Sequence, residues 1–288
     1  MHIMNDRNER KCALTSPMGA SGGKGEKPGM KFDMHCHTKE GSIDAKVELE
    51  KYVKMLVALG YDGMLVTDHN SYKGHDQWVR LRARVMAAAG KPFVVLRGIE
   101  YDTRDAGHML VVLPEHVRTR MLEVRGLKGR QLIMRVHELG GIVGPAHPYG
   151  NGFFALMNTR LGKRNEHLMH SFDFVESFNA CVKPFQNKLA KRLAERYHKP
   201  EFGGSDAHRP EVIGSAYTEI EGNIRNNDDL IRAVRWRVPM VADGDWEDKV
   251  RKKQKKAVEE LAVIGYWIYN KALAALNVFR RRKYAKLT

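Results

Sequence analysis

The chain lacks the long apolar run that would cross a bilayer: no stretch reaches about 18 uncharged apolar residues. It also lacks an apolar core behind its N-terminus, so no secretory signal is visible. Cysteine is scarce. Three residues, Cys12, Cys36 and Cys181, provide no disulfide framework and fit a reducing, cytoplasmic setting. Acidic residues are outnumbered, 34 Asp+Glu against 49 Lys+Arg, for a net charge of +15. That deficit is local. Residues 249–288 hold 12 Lys+Arg against 2 Asp+Glu. The body of the chain is nearly balanced, so charge alone does not mark it as a nucleic-acid binder.

What is present is enough for one large domain with appendages: 288 residues, 43% of them hydrophobic. Residues 1–29 are rich in Gly, Ser, Lys and Asn, cannot bury a core, and are expected to be disordered. Met30 then begins a strand directly, which makes it an alternative start of the native chain. From there to residue 245, apolar strand-like runs alternate with helical patterns, the signature of an α/β fold. Leu49, Tyr52, Val53, Leu56 and Leu59 give a helix of about residues 47–59 its stripe, and Gly60 stops it.

Six of these runs carry metal-binding side chains at one end. Asp33-Met34-His35-Cys36-His37-Thr38 ends a strand with two histidines at alternate positions, which share a face. Cys36 between them points the other way and is expected to pack in the core. An apolar run over 62–67 leads to Asp68 and His69, and another over 93–99 leads to Glu100. His108 leads the run HMLVVL, His147 follows GIVGPA, and Asp206 and His208 follow FGGS. In a barrel of parallel strands the C-terminal strand ends form the functional face, so these groups converge if such a barrel forms. Imidazole mixed with carboxylate suits zinc, manganese or iron. His75, His116, His137, His167, His170 and His198 fall outside the runs and are expected on helices or the surface. The turn 101–107 and the irregular stretch 149–171 follow site residues, and the latter, with Arg160, suits a substrate-covering segment.

The ordered set DMHCHT, TDH, GIE, HMLVV, AHP and SDAH, over roughly residues 30–245, resembles the polymerase and histidinol phosphatase (PHP) family of metal-dependent phosphoesterases. The resemblance implies a distorted (β/α)7-type barrel with two or three divalent ions. It implies that His35, His37, Glu100 and Asp206 hold a first ion, and that Glu100 bridges to a second completed by His108 and His147. It implies a third ion on His69, His208 and a carboxylate of the first loop. Asp44 is the choice for that carboxylate and Glu40 its rival, because the loop KEGSID departs from the family's usual wording. Glu100, Asp206 and His208 are the implied catalytic groups. Asp68, which precedes His69, is expected to orient a ligand from behind, and Glu176 and Asn179 to line the pocket floor. The implied reaction is hydrolysis of a phosphate ester by a metal-bridged hydroxide. Arg209, Lys39 and Arg160 are candidates for holding phosphoryl oxygens.

Narrower alternatives are a histidinol-phosphatase-like enzyme, a nucleotide phosphatase, or a nuclease acting on nucleic-acid ends. A rival of another class is a non-catalytic, metal-stabilised binding module. Residues 246–288 are expected to form a basic amphipathic helix with a broad apolar face at Leu261, Trp267, Ile268 and Leu273. Packing on the barrel or a homodimer contact, an anionic membrane surface, and nucleic acid are its three candidate partners, in that order. The expected location is cytoplasmic, with a peripheral membrane position as the alternative.

Overall fold

The computed structural model describes residues 29–246 and eight further positions between 265 and 276. The expected N-terminal extension and most of the expected C-terminal helix lie outside the described residues. Among the described residues no helix is long and apolar enough to cross a membrane.

Nine strands and six helices alternate along residues 29–246. Strand β1 (Met30–Cys36) is followed by α1 (Leu49–Ala58), β2 (Gly63–Val66), α2 (Lys73–Ala89), β3 (Val94–Asp102) and β4 (His108–Val112). Then come α3 (Gly129–Glu138), β5 (Ile142–Pro145), the short α4 (Arg160–Arg164), β6 (Val175–Asn179) and α5 (Pro184–Arg196). Strands β7 (Glu201–Gly204) and β8 (Ala216–Ile220), helix α6 (Asn227–Arg235) and β9 (Met240–Gly244) complete the order. Local chemistry sets several of these boundaries. Helix α1 buries Leu49, Tyr52, Val53 and Leu56, one face of a 3.6-residue period, and gives way to Gly60 at φ +82°. Pro184 opens α5, where its fixed φ costs nothing. Asn226 caps α6 by accepting from the Asp229 amide at 2.9 Å.

Seven strands form one curled sheet in the order β5-β4-β3-β2-β1-β8-β9, and β6 pairs with β7 separately. Strands β1, β2 and β3 are parallel, and β4 runs antiparallel to both β3 and β5. Strand β5 therefore points the same way as β3. The β6–β7 pair lies across the open side of this half-barrel. The Asp173 amide reaches the Val143 carbonyl at 2.9 Å, and Ala207 bridges to Cys36 in parallel. Seven uniform βα repeats do not form: β4 and β8 run against their neighbours, and β8 and β9 are strands that the sequence reading does not contain.

The interior is filled by Phe32, Leu65, Leu96, Leu110, Phe174 and Phe202, with Phe174 and Phe202 stacked at 3.8 Å between centroids. Helix α6 closes the end of the barrel away from Glu100. Its Asn227 side chain donates to the Arg97 and Leu113 carbonyls at 2.7 and 2.8 Å. The opposite end, where β1, β2, β3, β5, β6 and β7 all terminate, is left for polar groups.

Candidate metal centre

A bulge in β1 starts the construction. The register slips between Asp33 and Cys36, so strict alternation is broken there. Asp33 turns toward α1, accepting from the Tyr52 hydroxyl at 3.1 Å and the Ser205 hydroxyl at 2.6 Å. Burial pushes the Asp33 carboxyl pKa up. His35 and His37, fully buried, turn the other way, with their Nε2 atoms 3.0 Å apart. Cys36 is fully buried among α1 and β2 side chains, as its alternate position requires.

Glu100, near the end of β3, stands at the middle of the group and is 1% exposed. Its Oε2 lies 3.3 Å from His35 Nε2, 3.2 Å from His37 Nε2 and 3.2 Å from His69 Nδ1. Its Oε1 lies 2.8 Å from His108 Nδ1 and 3.0 Å from His147 Nε2. His108 reaches this place from the start of a strand because β4 runs backwards: the register pairs it with Asp102. Asp206 follows β7 with its Oδ1 3.2 Å from His37 Nε2, and His208 Nδ1 lies 3.6 Å from the same oxygen. Asp44 comes from the first loop, 3.3 Å from His208 Nε2 and 3.7 Å from His69 Nε2. Glu40 does not come near. Its carboxylate accepts from the Leu49 amide at 3.2 Å, at the start of α1.

Asp102, absent from the candidates read in the sequence, belongs to this cluster. Strand β3 continues two residues past Glu100, so Asp102 returns to the same face. It lies 3.1 Å from His108 Nε2, 3.5 Å from His69 Nδ1 and 3.2 Å from the Arg125 guanidinium. Period-two spacing in the sequence carried the signal, hidden because YDTRDAG reads as a turn.

A surrounding layer fixes the imidazoles. Glu176 Oε1 meets His35 Nδ1 at 2.8 Å, which turns Nε2 inward. Glu176 Oε2 accepts from the His147 amide, and Asn179 Nδ2 donates to Glu176 and Asp206 at 3.1 and 3.2 Å. Asp68 acts through Ser42. Its carboxylate accepts from the Thr38 amide and hydroxyl, the Ser42 hydroxyl and the Gly74 amide. Ser42 Oγ in turn lies 3.1 Å from His37 Nδ1 and accepts from the His69 amide at 3.0 Å. Two residues of the cluster, His147 and Asp206, hold positive φ values of 28° and 51°. Such conformations are costly for non-glycine residues and persist where the surroundings enforce them.

The electrostatics match the geometry. Burial raises the pKa of the Glu100 and Asp206 carboxyls, but the encircling histidines override it and hold both well below the usual range. Burial likewise lowers His37 and His108. Asp206 and Glu100 outweigh it at His37, Glu100 and Asp102 at His108, and both rise to about 10.

The donor set fits divalent cations. Ligand atoms of His35, His37 and Glu100, of Glu100, His108 and His147, of His37, His69 and His208, and of His69, Asp102 and His108 lie within 4.8 Å of one another in each group. Buried Asp102 Oδ1 and His108 Nε2 face each other without hydrogen bonding. Convergent, buried donors that do not hydrogen-bond are what a metal requires. The centre opens to solvent through a cavity of about 210 Å³ lined also by Asn151, Phe154 and Val182.

The proposed phosphoryl-holding residues fare differently. Arg160 lines a neighbouring cavity that reaches His108. Lys39 is paired with Glu48 at 3.0 Å, both more than half exposed, and neither cavity wall includes it. Arg209 is exposed beside His208. His137, His167, His170, His116 and His198 stay outside the cluster, as does buried His75 on α2.

A family model described as PHP-associated matches residues 184–238, the stretch from α5 through Asp206 and His208 to the end of α6. No curated protein matches the chain. Among solved structures, a two-domain Bacteroides vulgatus protein containing a predicted PHP-like metal-dependent phosphoesterase aligns at a TM-score of 0.55 and 16% identity, over 75% of this chain and 65% of that one. PsfC from Pseudomonas syringae aligns at 0.53 and 16%, over 85% and 98%. A lesion-specific endonuclease, EndoQ from Pyrococcus furiosus, aligns at 0.50 and 16%, over 74% and 57%. At such identities these likenesses speak for the fold. Family model and fold together bear out the resemblance to the PHP-type metal-dependent phosphoesterases that the ordered motifs carry.

Proposed function

We propose that the protein is a metal-dependent phosphoesterase with a di- or trinuclear centre of zinc, manganese or iron. The observation that carries this reading is Glu100: one buried carboxylate lies 2.8–3.3 Å from five imidazoles on four strands or their ends. His35, His37, Glu100 and Asp206 would hold the first ion, and Glu100, His108 and His147 the second. His69, His208 and Asp44 would hold a third, with Asp44 favoured over Glu40 by its place between the two histidines. Divalent ions in such a centre supply Lewis acidity, lowering the pKa of water and offsetting charge on phosphoryl oxygens.

The chain's own groups supply order. Glu176 and the Asp68–Ser42 pair lock His35 and His37 into one orientation each. Glu100 and Asp206, with depressed pKa values, stay ionised and serve as ligands, not as proton carriers. His208, 29% exposed, stands at the mouth of the cavity.

A panel of phosphate mono- and diesters, with and without manganese, tests the proposal. Hydrolysis should vanish on chelation and return with metal. Metal-loaded protein inert toward every ester would support the binding-module alternative. Histidinol phosphate and nucleotides in the panel separate the narrow phosphatase readings. A nuclease is the second reading, favoured by the endonuclease fold neighbour and by Arg104 and Arg160 beside the centre. Single-stranded and duplex oligonucleotides decide it. Cysteine usage supports a cytoplasmic location. Dimerisation or membrane contact through residues 246–288 is proposed on the sequence pattern alone.

A further inference from the structure

The four groups assigned to the first ion come from two sheets. His35 stands on β1 and His37 just beyond it, Glu100 on β3, and Asp206 just beyond β7. Strand β1 is flanked by β2 and β8, while β7 pairs with β6. The two sheets therefore meet at a seam that crosses the centre. Backbone ties across it are few: the Asp206 amide donates to the His35 carbonyl at 2.8 Å, and Cys36 bridges to Ala207 in parallel. Side chains supply the rest. The Thr218 hydroxyl on β8 accepts from the Gly203 amide at 2.7 Å and donates to the Gly203 carbonyl at 3.0 Å. Closer to the centre, Asp33 takes the corresponding place. Its Oδ1 accepts from the Ser205 amide at 2.8 Å and the His35 amide at 3.3 Å. Its Oδ2 accepts from the Ser205 hydroxyl at 2.6 Å and the Tyr52 hydroxyl at 3.1 Å. Asp33, Tyr52 and Ser205 are all fully buried. The backbones are in close approach here: a Cβ on Gly204 would lie 2.4 Å from the His35 nitrogen. One carboxylate thus ties the backbone of His35 to the residue that precedes Asp206. Asp206 itself holds φ at 51°, a conformation its surroundings must enforce.

We propose that Asp33 is a positioning residue that sets the separation of Asp206 from His35 and His37 across the seam, and through it the affinity of the centre for its first ion. The inference rests on the metal-dependent reading of the centre and goes past it, since Asp33 is not among the ligand groups. Asp206 Oδ1 lies 3.2 Å from His37 Nε2 and 3.6 Å from His35 Nε2. A ligand set works only when its members are held within about 0.5 Å of the productive geometry. The four hydrogen bonds to Asp33 come from two amides and two hydroxyls, all uncharged, so the role asks for shape, not for charge. An asparagine can keep its Oδ1 on the two amides and turn its NH2 to the hydroxyls, which accept as readily as they donate. An alanine can do neither.

The test is the affinity of the full chain for manganese, read by competition with a fluorescent chelator, in wild type, Asp33→Ala, Asp33→Asn and Thr218→Val. Asp33→Ala should bind about tenfold or more weakly, the effect of removing a group that orients ligands. Asp33→Asn should bind as the wild type does. Thr218→Val loosens the same seam away from the centre by leaving the Gly203 amide unpaired, so it should lower stability to urea without moving the affinity. In the cobalt-loaded protein the visible absorption, which follows coordination geometry, should change in Asp33→Ala and not in Thr218→Val. Wild-type affinity in Asp33→Ala overturns the inference. An equal loss in Asp33→Asn overturns it by assigning the effect to charge, and an equal loss in Thr218→Val by assigning it to the seam at large. Should Asp33→Ala not fold, Ser205→Ala decides: it removes one tie and keeps the carboxylate, and unchanged affinity there overturns the inference. Ester assays on the same samples keep two failures apart. A wild type that binds manganese but cleaves no ester refutes the phosphoesterase reading and leaves the affinity comparison standing, whereas one that takes up no metal refutes both.

Discussion

Asp68→Asn is a change of one atom that should loosen two histidines of the cluster, His37 and His69, without touching either. Asp68 is fully buried. Its Oδ1 accepts from the Thr38 amide at 2.6 Å and its Oδ2 from the Gly74 amide at 3.2 Å. Neither backbone N–H can rotate away. Whichever way an asparagine amide sits, its NH2 faces one of these donors and leaves it unsatisfied. An unpaired buried donor costs about 1–3 kcal/mol. There is little room to relax: a Cβ on Gly41 or Gly74 would lie 2.0 or 2.2 Å from Asp68 Oδ2, so the loops are already packed on the carboxylate. Part of the loss returns, because burial raises the Asp68 pKa and the charge is itself costly there. Where the NH2 takes the Oδ1 place, the Ser42 hydroxyl also loses its acceptor and would orient His37 Nδ1 and the His69 amide less well. Disturbing groups that orient ligands lowers metal affinity about 10- to 100-fold. Competition against a fluorescent chelator measures the affinity, and urea unfolding of the metal-free protein measures stability. An Asp68→Asn protein with wild-type values of both would refute the role given to the Asp68–Ser42 pair.

Two further substitutions read other parts of the molecule. Glu100→Gln should reduce turnover about a thousandfold or more while circular dichroism shows the fold intact, since one carboxylate serves several ligand groups; His167→Ala, outside the cluster, is the control and should behave as wild type in the same ester assay. His75 lies 9% exposed on α2, and burial, then Arg97, lower its pKa from 6.5 to about 4. Its folded pKa is below its unfolded one, so its contribution is present above pH 6.5 and lost as pH falls toward 4, a change of about 3 kcal/mol. Replacing His75 with asparagine should flatten the stability profile across that window, measured by denaturant titration at successive pH values; a profile as steep as the wild type's would assign the slope to other groups.

Much of the centre was legible because its donors sit in short motifs at strand ends. Strand alternation paired His35 with His37 and set Cys36 apart, and the structure brings His69, Glu100, His147, Asp206 and His208 to the same place. What stayed hidden depended on direction and reach. His108 looked misplaced at the head of a strand until β4 proved to run antiparallel. Asp102 was lost to a turn that begins two residues later than its composition suggests. Glu176 and Asn179 were expected on the pocket floor, and instead hold His35 and Asp206. The choice between Asp44 and Glu40 needs three dimensions, since both lie in one loop and only folding sends Glu40 to the start of α1. Strands β8 and β9 went unseen because AYTEI and MVADG mix charge and small residues and lack a clean apolar alternation.

Metal titration of the stripped protein tests the central proposal most directly. Protein freed of metal by chelation should regain phosphate-ester hydrolysis as manganese or zinc is added, with activity levelling at two or three equivalents. The same protein, expressed in metal-replete medium, should carry at least two transition-metal ions per chain by elemental analysis. Less than one ion per chain, or hydrolysis that survives complete removal of metal, would contradict a multinuclear centre built on Glu100.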